Sequence, residues 1–194
     1  SAVTNDGAII AVYRAGAGHV GRAGYLVSVR SEDNGRTWSK PVTVVKTQEY
    51  DDRNPALGVA KDGTVVVGYI GIGSYEPESG FLKRIEDRRS PRQAHAGLFW
   101  SSAGGRSWHE PMIWTDQTAW HDKSPYGRIL TLTDGRMVMP VYWKKDTWLL
   151  WSKDNGRSWG DYTFVADDVN ETAYCALSSG EWLSLGRSNE GHGP

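Results

Sequence analysis

The sequence predicts an all-β protein, a β-propeller of four-stranded antiparallel blades, and three observations lead there. The 194 residues include 10 Trp, 9 Tyr and 23 Gly beside many Val, Ile and Thr, a mixture that suits short strands punctuated by turns. An eight-residue motif recurs: Ser31-Glu32-Asp33-Asn34-Gly35-Arg36-Thr37-Trp38 returns as Ser152-Lys153-Asp154-Asn155-Gly156-Arg157-Ser158-Trp159. A degenerate copy, Ser101-Ser102-Ala103-Gly104-Gly105-Arg106-Ser107-Trp108, lies between them. Between these boxes run turn dipeptides that introduce β-branched or apolar segments, which are hairpin signals.

In chain order, Asp6-Gly7 precedes residues 8–13, and the first box follows. Asp62-Gly63 precedes 64–69 and the second box; Asp134-Gly135 precedes 136–142 and the third; Ser179-Gly180 precedes 181–186. The unequal spacing of the boxes implies variable loops between constant units. Each unit reads as four strands, in the third about 127–132, 136–143, 147–152 and 161–166. Four-stranded units repeated at this period are propeller blades. The expected blades are about 1–50, 51–115 and 124–167, with the start of a fourth at 170–190. Helical repeats are disfavoured, because apolar positions follow strand alternation or short β-branched runs instead of i, i+3, i+4 spacing.

The box has a physical logic. Its Asp accepts hydrogen bonds from turn amides, its Gly supplies a positive φ, and its Trp covers the blade with a large apolar face. Ala103 leaves the middle copy without that acceptor, so it is expected to be the loosest box. Trp38, Trp108 and Trp159 are read as structural.

Charges nearly cancel, with 22 Lys plus Arg against 23 Asp plus Glu. No basic field points to nucleic acid or an anionic membrane, and no apolar run approaches the ~20 residues of a membrane span. The start Ser1-Ala2-Val3-Thr4 has neither Met nor the features of a signal peptide, and reads as a processed product or an excerpt. The compartment is open, secretion or the periplasm included. Cys175 is the only cysteine, so no internal disulfide or CxxC site can form. His95, His109 and His121 lack metal-ligand spacing, and neither a catalytic metal nor another cofactor is expected.

The Ser-x-Asp-x-Gly-x-Thr/Ser-Trp motif resembles the Asp box, or bacterial neuraminidase repeat, of the sialidase superfamily, and the likeness spans essentially the whole chain. It implies a six-bladed ring of which about three and a half blades are present. Such a piece leaves open edges, available to the rest of a longer chain or to self-association.

Because both repeat signals share one face, a site is expected on the other. That face collects 14–24, 50–55, 71–96, 115–128, 143–147, 170–171 and 187 onward. Asp51-Asp52-Arg53-Asn54-Pro55-Ala56-Leu57 is similar to the Arg-Ile-Pro-Ala-Leu strand of sialidases, with Asn54 as the departure. The resemblance implies that Arg53 clamps a sugar carboxylate, a planar group suited to a guanidinium. A structural arginine paired with Asp51 or Asp52 is the alternative. Asn170-Glu171, before a strand ending in Arg187, is similar to the Asn-Glu segment of the family, and a structural ion pair is again the alternative. Tyr126-Gly127-Arg128 opens the third inner strand, where the family places the carboxylate partner of its nucleophilic tyrosine; no Glu stands there, and Tyr126 is read either as nucleophile or as a tyrosine that stacks on sugar. Where the family carries an acid/base aspartate after Tyr13, this chain has Arg14, with His19 and Arg22 further along as candidates for proton transfer and anion binding. Trp120 and Trp143 are candidates for sugar stacking, and the charged insert 76–92 for a lid.

The catalytic candidates are therefore Asp52, Glu171, Tyr126 and His19, and the binding candidates Arg53, Arg187, Arg128, Arg14, Arg22 and Trp143. The expected function is a sialidase-like glycoside hydrolase releasing a terminal acidic sugar from a glycoconjugate. A non-catalytic Asp-box propeller that binds glycan or protein needs only the same arginines.

Overall fold

The structure is a computed structural model that describes residues 1–16, 18, 23–48, 50–73, 94–113 and 122–188. Its strands are β1 (Ala2–Val3), β2 (Ile9–Ala15), β3 (Tyr25–Ser31), β4 (Val42–Val45), β5 (Asp51–Val59), β6 (Val65–Ile72), β7 (Ala94–Ser101) and β8 (Met112–Ile113). They continue as β9 (Ser124–Pro125), β10 (Leu130–Thr131), β11 (Met137–Trp143), β12 (Asp146–Ser152), β13 (Gly160–Ala166), β14 (Val169–Ala176) and β15 (Trp182–Ser188). Within each sheet the strands pair antiparallel, in the orders β1-β2-β3-β4, β5-β6-β7-β8, β10-β11-β12-β13 with β9 also on β11, and β14-β15. These sheets are blades of a β-propeller; among the described residues three have at least four strands and one has two. The inner strand of the third is split into β9 and β10.

Alternation along each strand sends one set of side chains to each neighbouring blade. Between the first two blades lie Ile10, Leu26, Leu57, Val65, Val67, Tyr69 and Phe99. Between the second and third lie Ala56, Val66, Leu98, Ile129, Met137, Met139 and Trp159. Val65, Val66 and Val67 are all fully buried because β6 is covered on both faces. The outermost strands have no such cover, and Leu183 and Leu185 of the last hairpin are 61% and 78% exposed.

The two complete boxes share one hydrogen-bond pattern. In the first, Asp33 accepts from the Thr37 amide (2.8 Å), the Thr37 hydroxyl (2.6 Å) and the Ser31 hydroxyl (2.8 Å), while the Trp38 indole donates to the Gly35 carbonyl. The third repeats this with Asp154, Ser158, Ser152, Trp159 and Gly156. A Cβ on Gly156 would stand 2.6 Å from a Val66 methyl, so the box glycine also lets its turn close onto the preceding blade. The middle box keeps only the serine: Ser101 Oγ accepts from the Ala103 and Gly105 amides. Its missing acceptor is offset from outside. Arg30 donates to the Gly104 carbonyl, and Arg106 pairs with Asp6 (3.0 Å) and Glu32 (2.9 Å) of the first blade. Trp108 donates to Ser28 Oγ of the first blade.

Candidate functional site

At the end of the blades opposite the boxes, the inner strands begin with a recurrent irregularity. The ladder slips between Arg53 and Ala56 in β5 and between Asn170 and Ala173 in β14, and at each bulge a residue takes a left-handed conformation: Asn54 at φ 52° and Glu171 at φ 48°. Gly127, between β9 and β10, does the same at φ 75°. For Asn the conformation costs little, but for Glu it is a local strain, and bulges of this kind re-aim side chains near functional surfaces.

The densest cluster surrounds Asp51, whose carboxylate is fully buried. It accepts from Arg14 Nε at 2.6 Å and lies 3.6 Å from an Arg53 terminal nitrogen. The buried carboxylate is thereby paired with guanidinium groups from two blades. Gly24 makes room for it, since a Cβ there would lie 1.8 Å from Asp51 Oδ1 and 2.6 Å from Arg14 Nε.

Asp52 points elsewhere. It is fully buried and accepts from the Thr47 amide (2.7 Å) and hydroxyl (3.0 Å). Burial raises its pKa, the Thr47 bonds counter that, and Asp51 adds to the rise. Across the sheet from it, in register, stand Gly71 and then His95. The His95 ring lies over Gly71 and edge-on to Tyr50, and burial lowers its pKa.

Arg53 donates at 3.4 Å to Asn54 Oδ1, and Asn54 Nδ2 donates to Ser124 Oγ (2.8 Å) and Tyr142 Oη (3.1 Å). The Tyr142 ring is edge-on to Tyr126, which is half-buried. Nothing in the sequence singles out Ser124 or Tyr142. Arg128 is exposed and pairs in parallel with Leu57, joining the inner strands of the second and third blades. At the last hairpin, Arg187 Nε donates to Asn170 Oδ1 (3.0 Å) and a terminal nitrogen of Arg187 meets Glu171 at 3.1 Å. Trp143 is 36% exposed, with the Lys144 and Lys123 ammonium groups 3.9 and 5.4 Å from its ring centre. His19, Arg22, Trp120, His121 and the insert 76–92 fall outside the described residues. Among the described residues no group of His, Cys, Asp and Glu is arranged to hold a metal ion, and no helix is long and apolar enough to cross a membrane.

The structure thus brings Arg14, Asp51, Arg53 and Asn54 together, sets Tyr126 beside Tyr142, and couples Glu171 to Arg187.

Residues 7–193 match the BNR repeat-like domain family. A sialidase of Bacteroides fragilis is 23% identical over 183 residues, covering 84% of this chain and 33% of its own length. Among solved structures, a Hadza microbial sialidase superposes with a TM-score of 0.79 at 21% identity, over 98% of this chain and 41% of that one. A protein of unknown function from Dyadobacter fermentans gives 0.74 at 23% identity, over 97% and 61%. The NanB sialidase from Streptococcus pneumoniae gives 0.76 at 13%, over 97% and 47%. The chain therefore spans about a third of the curated relative and about half of these solved chains.

Proposed function

Since the chain belongs to the BNR repeat-like domain family, we propose that it forms part of a sialidase-like glycoside hydrolase that binds a terminal acidic sugar on the face opposite its Asp boxes. The observation that carries this reading is the Arg14-Asp51-Arg53 cluster. Asp51 neutralises one guanidinium and fixes the other at the head of an inner strand, where it suits a sugar carboxylate. In this reading Arg53 is the main anion ligand, with Arg14 behind it. Arg187 is a second ligand, held by Asn170 and Glu171.

Glu171 is the acid/base candidate that the geometry favours over Asp52. Its side chain is 27% exposed beside a cation, whereas Asp52 is enclosed and committed to Thr47. Tyr126 lines the site. Its immediate ring neighbour is the phenol of Tyr142 rather than a carboxylate, which favours a sugar-contacting role over that of nucleophile. That same pairing supports the second reading, a propeller that binds acidic glycans without cleaving them. Trp143, flanked by two ammonium groups, is a rim contact for an anionic glycan in either case. The exposed leucines of the last hairpin are the edge that further blades of a longer chain, or a second copy, would cover.

The test is hydrolysis of a fluorogenic sialoside, with binding of N-acetylneuraminic acid measured in parallel. Turnover lost in Arg53→Ala and Glu171→Gln supports the hydrolase. Binding without turnover, lost only in Arg53→Ala, selects the non-catalytic propeller. Activity retained in Arg53→Ala removes the proposed site.

A further inference from the structure

The hydrogen bonds around Asn54 form a chain with a direction. A guanidinium can only donate, so the amide oxygen of Asn54 must be the atom that faces Arg53 Nε, at 3.4 Å. The amide nitrogen is thereby turned to the other side. It spends its two protons on Ser124 Oγ at 2.8 Å and Tyr142 Oη at 3.1 Å, residues 70 and 88 positions further along the chain. Ser124, accepting from Asn54, passes its own proton to the Pro125 carbonyl at 3.2 Å, and that branch ends inside the protein. Tyr142 accepts in the same way, but its own O–H meets no acceptor among the described residues. A phenol that is already accepting must offer its proton elsewhere. Tyr142 is half-buried near the C-terminal end of β11, where it pairs in register with Ser124 of β9.

We propose that Tyr142 is a ligand-binding hydroxyl whose donor polarity is imposed by Asn54, a positioning residue that transmits the all-donor character of Arg53 to the third blade. The inference rests on the acidic-sugar reading of the site for the identity of the ligand. Arg53 and Tyr142 then approach one anionic group from two blades, both as donors, so that an acceptor-rich group such as a carboxylate is favoured over a hydroxyl that must itself donate. The left-handed backbone of Asn54, φ 52°, is what lets one short side chain reach both neighbours across the gap between blades.

Two measurements test this. The first is calorimetric binding of N-acetylneuraminic acid to the wild-type chain and to Arg53→Ala, Tyr142→Phe, Asn54→Gly and the Tyr142→Phe/Asn54→Gly double variant. Glycine keeps the positive φ, so Asn54→Gly removes the amide without straining the backbone. Tyr142→Phe is expected to weaken binding about tenfold, Asn54→Gly by several-fold, and the double variant no further than Tyr142→Phe alone, because the two act as one unit. If Arg53→Ala abolishes binding while Tyr142→Phe binds as wild type, the role of Tyr142 is refuted and the sugar reading survives. The second measurement needs no ligand: neutron diffraction from deuterated protein locates the Tyr142 hydroxyl deuteron. A deuteron turned away from Asn54 towards solvent supports the polarity argument even if the sugar does not bind. A deuteron on the line to Asn54 or Ser124 overturns it.

Discussion

Asp154→Ala tests the claim that the box aspartate holds its turn together. The carboxylate accepts from the Ser158 amide at 2.9 Å, the Ser158 hydroxyl at 2.5 Å and the Ser152 hydroxyl at 2.8 Å, in the manner of a helix N-cap. Losing such a cap costs roughly 0.5–2 kcal/mol. This turn faces water, which replaces part of what is lost, so about 1 kcal/mol is expected. For a domain of this size that lowers the melting temperature by about 2–4 °C. The informative comparison is Ala103→Asp, which returns an acceptor to the middle box within reach of the Ser107 amide. It should raise the melting temperature by up to a similar amount, with Arg30 and Arg106 nearby to balance the added charge. Thermal unfolding followed by circular dichroism reads both. An unchanged midpoint in Asp154→Ala, or a fall in Ala103→Asp, would refute the reasoning and assign box stability to the tryptophan and the glycine alone.

Two aspartates should titrate on opposite sides of the ordinary carboxylate range. The Thr37 hydroxyl and amide, with help from Ser31, hold Asp33 at about 2. Its stabilising contribution is complete above the unfolded pKa near 4 and is lost as pH falls through about 2. Burial pushes Asp52 the other way, so Asp52 opposes folding as pH rises through its elevated value; carboxyl carbon NMR resonances should show the two in that order, and coincident midpoints would contradict the hydrogen-bond assignments. Arg14→Ala strips the buried Asp51 of its 2.6 Å partner, whereas Arg53 stands further off at 3.6 Å. A loss of about 3 kcal/mol in denaturant unfolding is expected, against much less for Arg53→Ala, and equal losses would show that Arg53 is the principal partner. Replacing Leu183 and Leu185 together by Glu should reduce self-association in sedimentation equilibrium if two copies meet through the last hairpin; an unchanged mass distribution would remove that edge as the contact.

The parts legible in the sequence share a short range. Ser31, Asp33, Gly35, Thr37 and Trp38 make their defining contacts within one turn, so their spacing announces both the turn and its hydrogen bonds. A turn dipeptide followed by a short apolar run does the same for β6 and β11, and Arg187 meets Glu171 because a single hairpin returns it there. The Asp51-Asp52 dipeptide shows where local reading stops. Adjacent strand residues face opposite sides, and nothing in the pair itself says that Asp51 takes the arginines while Asp52 takes Thr47.

What the sequence determined by itself was the repeating hairpin and the four-stranded blade. Each follows from turn chemistry and strand periodicity acting over fewer than about ten residues. The tertiary structure alone decided that Arg14 reaches Asp51 across 37 positions, that Asn54 reaches Tyr142 across 88, and that Arg30 secures the incomplete box 74 positions away. Those partners are brought together by the rotation of one blade onto the next. That rotation is set by the packing of whole sheet faces, a collective property that no local spacing records.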